Sequence, residues 1–191
     1  MRVVGAGVYG ATAALELVRR GHTVELWDPG PLPHPLAAST DISKVVRADY
    51  GSDVFYTQRG EQALAGWRRW NAELFSRELF HEQGFLILSA RAMRPGGFEH
   101  DSYQLLRARG HALERYGEGS DFAHWQGISD GYRSPSGGWV ESGAVVAELV
   151  AAAAEAGAQL VEREATLEQI RAWTRAGETT LVAAGAWTPT L

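Results

Sequence analysis

The stretch "VVGAGVYGATAALELVRRGHTVELWD" constrains the fold of this chain more than any other. Met1 to Val4 is a short apolar run that stops at Gly5, and Gly5, Gly7 and Gly10 form G-x-G-x-x-G. Ala11, Ala14, Leu15 and Val18 then recur at helical spacing, Gly21 is a natural helix stop, and His22 to Trp27 reads as a second strand ending at Asp28. Strand, glycine turn, helix and strand in this order make a dinucleotide site. Gly5 permits the tight turn, Gly7 admits a pyrophosphate to the backbone, and Gly10 lets helix and strand pack closely. The helix start at Val8, Tyr9 and Gly10 offers free N–H groups and a positive dipole end to phosphate. Asp28 lies 18 residues after Gly10, near the spacing at which a carboxylate takes ribose hydroxyls. Its charge argues against the 2′-phosphate of NADP, but the motif alone leaves NAD and FAD open.

Several classes fall away on composition. The net charge of -5 argues against a nucleic-acid partner. No cysteine is present, which removes disulfides, cysteine–zinc sites and thiol attachment of a cofactor within the chain. The longest apolar run, "GAVVAELVAAAAEAGAQL", carries two glutamates, so no membrane span is expected. "MRVVGAG" runs straight into a strand without a secretory leader pattern, and a cytoplasmic location is expected.

After Asp28 the chain does not return quickly to the sheet. "PGPLPHPLAAST" is a proline-rich loop, and "EQALAGWRRWNAELF" reads as an amphipathic helix. "GFLILSA" reads as a strand, "SYQLLRARGHALERYG" as a helix, and "HWQGISDGYRSPSGGWVESG" as a loop with short strands. "AVVAELVAAAAEAG" is a third helix, and "AQLVER" and "ETTLVAAGAW" are strands. The expected fold is α/β. A Rossmann-like domain over residues 1–38 and 143–191 is interrupted by an α+β lobe over 39–142.

Three segments carry a family resemblance: the first motif, "STDISKVVRADYG" and "LVAAGAWTPTL". Together they resemble the FAD-dependent amine oxidases of the sarcosine oxidase, pipecolate oxidase and fructosyl-amino-acid oxidase group, within the wider D-amino-acid-oxidase-like family. The resemblance implies FAD as cofactor. It implies a basic residue beside the flavin ring at Lys44, a small polar neighbour at Ser43, and an arginine for the substrate carboxylate at Arg47. It also implies a glycine turn near the cofactor at Gly185, Ala186 and Trp187. "WVESG" matches the stretch before the returning helix. Chemically, a fixed cation stabilises negative charge on a reduced flavin, and an arginine fork suits a carboxylate. On a helical turn Lys44 and Arg47 would share a face; without the resemblance they read rather as a solvated pair on a surface turn.

The implied activity is oxidation of a secondary amine or amino-acid C–N bond to an imine, with electrons passed to oxygen as hydrogen peroxide. The substrate would be a small amine bearing a carboxylate, with Tyr50 and Ser43 nearby. Family members run to about twice this length, so the fold is expected to be incomplete without a C-terminal half, supplied by a second polypeptide in a heteromer. An NAD-dependent dehydrogenase and a non-catalytic flavoprotein subunit are the alternatives. The histidines at 22, 34, 81, 100, 111 and 124 show no metal spacing, and the adjacent pairs His81-Glu82 and His100-Asp101 are expected to point apart. Trp67 and Trp70 read as core or lobe interface, and Arg68 and Arg69 as a solvated face.

Overall fold

The computed structural model describes residues 1–117 and 125–190, so His124 lies outside the described residues. In chain order the elements are β1 (Arg2–Val4), α1 (Val8–Arg19), β2 (Glu25–Asp28), β3 (Lys44–Val46), α2 (Val54–Glu73), β4 (Phe80–His81), β5 (Phe85–Ser89), α3 (Phe98–Ala108), β6 (Glu114–Arg115), β7 (Asp130–Ser134), β8 (Gly138–Val140), α4 (Ser142–Glu155), β9 (Gln159–Glu162), α5 (Leu167–Arg175) and β10 (Thr180–Val182), followed by a 3-10 segment over Gly185–Thr190. The chain divides into two units. The first is Met1–Ser43, Leu74–Leu79 and Glu141–Leu191; the second is Lys44–Glu73 and Phe80–Val140.

In the first unit a parallel sheet runs in the order β10-β1-β2-β9. Alternation along a strand sends neighbouring side chains to opposite faces. Val3 therefore lies under α1, where its Cγ1 neighbours Gly10, and Leu26 is its register partner on β2. Val4 and Trp27 face the other way and form a core with Ala165, packed against Val161, Ile170 and Trp173. Burial on both faces explains why these strands read as nearly continuous apolar runs. Helix α1 presents Gly10, Ala11, Ala14 and Leu15 to the interior, and this small-residue face packs against α4, which buries Val145, Val146, Leu149, Val150 and Ala153. Each large aliphatic side chain so buried contributes roughly 1.5–3 kcal/mol.

The expected elements formed with shifted ends. Strand β2 starts at Glu25 rather than His22, α2 starts at Val54, and α3 spans Phe98–Ala108 before Gly110 at φ +88° turns the chain. Helix α5 was not expected, since nothing was assigned between "AQLVER" and "ETTLVAAGAW". Thr166 starts it with a capping box: its Oγ1 accepts from Gln169 N at 3.3 Å, and Gln169 Oε1 accepts from Thr166 N at 2.9 Å.

The second unit holds two antiparallel sheets, β3-β8-β4 and β5-β7-β6, with α2 and α3. Its buried residues include Leu64, Phe80, Tyr103, Leu106, Tyr132 and Val140. Trp67 meets Trp70 edge-on at 5.1 Å and Phe80 at 6.2 Å, a packing role. Among the described residues no helix is long and apolar enough to cross a membrane, and no group of three or more His, Asp or Glu residues could hold a metal.

Candidate functional site

Gly5, Gly7, Val8, Tyr9, Gly10 and Asp28 gather at the C-terminal ends of β1 and β2, where a parallel α/β sheet places its ligands. Two of the glycines are dictated by the chain itself. Gly5 sits at φ +98°, and a Cβ there would lie 2.5 Å from the Ala183 carbonyl oxygen beyond β10. A Cβ on Gly10 would fall onto the Gly5 carbonyl. Gly7 is different: its missing Cβ would come within 3.0 Å of Ser39 Oγ. Ser39 also accepts a hydrogen bond from Val8 N at 3.2 Å, while its own hydroxyl proton remains to be given. The sequence reading did not single out Ser39, because the contact spans 31 positions. Helix geometry leaves the N–H groups of Tyr9 and Gly10 without intrahelical acceptors. Tyr9 is 83% exposed.

Asp28 is buried and acts first as a latch. Its Oδ2 accepts from Ala6 N at 2.8 Å and its Oδ1 from Gly30 N at 3.0 Å, tying the glycine turn to the end of β2. A carboxylate has about four acceptor positions, so the expected ribose hydroxyls can still be taken. Donors at a helix start, a glycine cradle and a carboxylate at the next strand end fit a dinucleotide. Beyond β10, Ala183 N donates to Val4 O at 2.7 Å, which fixes the path into Gly185, Ala186 and Trp187. All three are exposed, and the Trp187 ring meets His34 edge-on at 5.3 Å. Ser43 is exposed at the edge of the same unit.

Lys44 and Arg47 belong to the second unit. The helical turn that would give them a common face does not form: Lys44–Val46 is strand β3, paired antiparallel with Gly138–Val140. Two consecutive β-branched valines favour that state, and strand alternation separates residues three apart. Lys44 is exposed. Arg47 is half-buried and held in place. Its Nη1 donates to the Asp49 carbonyl, and its guanidinium carbon stands 5.5 Å from the Tyr50 ring centre and 5.3 Å from that of Phe98.

The strap Arg47–Gly51 that carries this arginine is fixed residue by residue. Helix α2 presses Gly60 against it so closely that a Cβ would lie 2.8 Å from Ala48 Cα. Asp49, 1% exposed, accepts a hydrogen bond from the hydroxyl of Tyr132, 0% exposed. Gly51 N donates to Ser102 Oγ at 2.7 Å. Burial pushes the Asp49 carboxyl above its ordinary range, while the Tyr132 hydroxyl and the Arg47 and His111 charges pull it back. Burial, and then the Asp49 carboxylate, keep the proton on Tyr132 and raise its pKa.

Among the described histidines, His81, His100 and His111 contact neighbouring side chains. His81 stacks on Trp139 at 4.1 Å. His100 does not point away from its neighbour, as was expected; its Nδ1 lies 2.9 Å from Asp101 Oδ1. His111 Nε2 lies 2.9 Å from Glu61 Oε1, and Arg109 also donates to Glu61 at 2.8 and 2.6 Å. The Arg109 bonds, against partial burial and aided by His111, bring Glu61 down to about 2. Arg68, though exposed, pairs with Glu82 at 2.7 and 2.5 Å.

Against known proteins, a family model described as FAD dependent oxidoreductase matches residues 2–191. L-saccharopine oxidase of Schizosaccharomyces pombe is 35% identical over 69 residues, covering 35% of this chain and 16% of that protein. Peroxisomal sarcosine oxidase of Mus musculus is 30% identical over 94 residues, covering 49% and 23%. Among solved structures, a variant of NikD, an unusual amino acid oxidase essential for nikkomycin biosynthesis, superimposes with a TM-score of 0.75 at 18% identity. That match covers 100% of this chain and 52% of the NikD chain, so the chain spans about half of that fold.

Proposed function

This chain belongs to the FAD-dependent oxidoreductase family, and from that premise we propose that it is the cofactor-binding part of an amine or amino-acid oxidase. The turn Gly5–Gly10 receives the pyrophosphate on its N–H groups, with Ser39 donating beside Val8 and Asp28 taking ribose hydroxyls. Gly185, Ala186, Trp187 and Ser43 contact the cofactor, and Lys44 is the cation that balances charge on the reduced ring. Arg47 holds the substrate carboxylate. FAD, when bound, would supply the oxidising chemistry at the carbon that bears the nitrogen. The residues of this chain bind and orient.

The observation that carries the reading is the state of Arg47. One nitrogen is committed to the Asp49 carbonyl and two aromatic rings flank the guanidinium, so the remaining N–H groups of the fork are pre-positioned for a partner. The substrates we propose are secondary amines and amino acids that carry a carboxylate, which become imines as oxygen becomes hydrogen peroxide. The names of the saccharopine and sarcosine oxidases support that class. We further propose that a second polypeptide completes the fold and that the protein works in the cytoplasm, a setting that suits a cysteine-free chain.

Native mass spectrometry of the protein from its own source, followed by anaerobic addition of amines, tests the reading. The expected particle holds this sequence, a separate chain and FAD, and a carboxylate-bearing amine bleaches the flavin. A single longer chain would overturn the two-chain arrangement and leave the oxidase reading intact. Flavin that no amine reduces would point to a non-catalytic subunit. Bound nicotinamide in place of flavin would overturn the cofactor assignment.

A further inference from the structure

The strap under Arg47 is anchored by two hydrogen bonds to side chains far away in sequence. Gly51 N–H can only donate, and it donates to Ser102 Oγ at 2.7 Å. The Tyr132 hydroxyl donates to Asp49 Oδ1, and the Ser102 side chain pulls the raised Tyr132 pKa back down. A carboxylate can only accept. Gly51 therefore gives its proton to Ser102, and Asp49 takes one from Tyr132. The two anchored residues lie on the strap, two residues apart, and their partners come from α3 and β7.

This is an expensive way to fill a core. Asp49 is 1% exposed, and its Oδ2 has no hydrogen-bond partner among the described residues. A buried charge that is only partly satisfied is generally less stable than apolar packing of the same volume. The arrangement fixes the Asp49 carbonyl, to which the Arg47 guanidinium donates, and it fixes the backbone on both sides of Tyr50, whose ring flanks that guanidinium.

We propose that the Gly51–Ser102 and Asp49–Tyr132 hydrogen bonds form a positioning device for Arg47, setting the fork in the pose that receives a carboxylate. The inference rests on Arg47 being the carboxylate anchor. Asp49, Ser102 and Tyr132 act through Arg47 and touch no substrate.

The test uses the complete flavoprotein and equilibrium titration with acetate, with acetamide as the uncharged control, followed by flavin absorbance. Arg47→Met is compared with Tyr132→Phe, Ser102→Ala and Asp49→Asn. Tyr132→Phe and Ser102→Ala are expected to weaken acetate about tenfold, a fraction of a charge-assisted hydrogen bond, while acetamide binding stays unchanged. Asp49→Asn keeps an acceptor for Tyr132 and is expected to retain most of the affinity. Equal weakening of acetate and acetamide would mean a merely structural role and overturn the proposal. So would unchanged acetate binding in Tyr132→Phe and Ser102→Ala when Arg47→Met weakens it. If Arg47→Met itself leaves acetate binding unchanged, the anchor reading fails and the positioning role falls with it. Should Tyr132→Phe not fold, Ser102→Ala decides, since it releases the strap's other anchor at Gly51 with a small loss of volume.

Discussion

The glycine turn of the first unit and the Arg47–Gly51 strap of the second are both short loops that present donors, yet they are held by different means. The turn is held by backbone. Gly5 is excluded from bearing a side chain by the Ala183 carbonyl, Gly10 by the Gly5 carbonyl, and Ala6 N reaches a carboxylate at the next strand end. The strap is held by side chains from afar: Tyr132 reaches Asp49 across 83 positions and Ser102 reaches Gly51 across 51. A surface made of N–H groups suits any phosphate and needs no particular side chain. A surface made of one arginine depends on how that arginine is aimed. The first is therefore written in local spacing and the second in long-range packing.

Substitutions can break this contrast at either end. The largest effect is expected for Gly10→Ala, whose Cβ would land on the Gly5 carbonyl. With backbone as the obstacle, the cost should exceed about 3 kcal/mol, seen as loss of folded, flavin-loaded protein. Asp49→Ala comes next. It leaves the buried Tyr132 hydroxyl without its acceptor and should cost about 1–3 kcal/mol, read from urea unfolding, with flavin content less affected than in Gly10→Ala. Gly60→Ala gains helix propensity of about 1 kcal/mol but presses on Ala48 Cα. A net loss of about 1 kcal/mol is expected, together with weaker acetate binding, because the strap must shift. Thr166→Ala removes the α5 capping box for about 1 kcal/mol and should leave acetate binding untouched, since it lies in the first unit.

The smallest effect is electrostatic. Glu61 is held down to about 2 from an ordinary 4.5. A depressed carboxylate stabilises the fold above its unfolded pKa, and that contribution is lost as pH falls through the folded one. Stability should therefore drop between about pH 4.5 and about 2, with a shallower slope in Glu61→Gln. Asp49 has the opposite sign: a raised carboxyl makes its own contribution fall as pH climbs through and above the ordinary carboxylate range. Unfolding curves taken against pH, with Asp49→Asn for comparison, separate the two.

How far the sequence could be read follows from the same contrast. The glycine turn, the apolar face of α1 and the end of β2 at Asp28 were legible because each constraint acts within a strand, a turn or one βαβ step. The latch role of Asp28 was not, because the spacing that suits a ribose also suits Ala6 N. The helical reading of Lys44 and Arg47 gave the three-residue spacing more weight than the β-branched pair Val45-Val46, which settles the segment as strand. Helix α5 was available in the sequence: Thr166 and Gln169 have capping-box spacing, and Ile170 and Trp173 follow at helical spacing on the face that meets Trp27. Ser39, Ser102 and Tyr132 carried no local signal, and only the folded chain brings them to the turn and the strap.

The central claim is that Arg47 receives the carboxylate of an amine whose C–N bond the flavoprotein oxidises. Its most direct test is anaerobic flavin bleaching in the complete protein, wild type and Arg47→Met, by a carboxylate-bearing secondary amine and by the same amine without the carboxylate. The half-saturating concentration of the acid should rise by about tenfold to a hundredfold in the variant, the worth of a charge-assisted pair, while that of the carboxylate-free amine stays where it was. An unchanged value for the acid, or wild-type flavin that no such amine bleaches, would contradict the account.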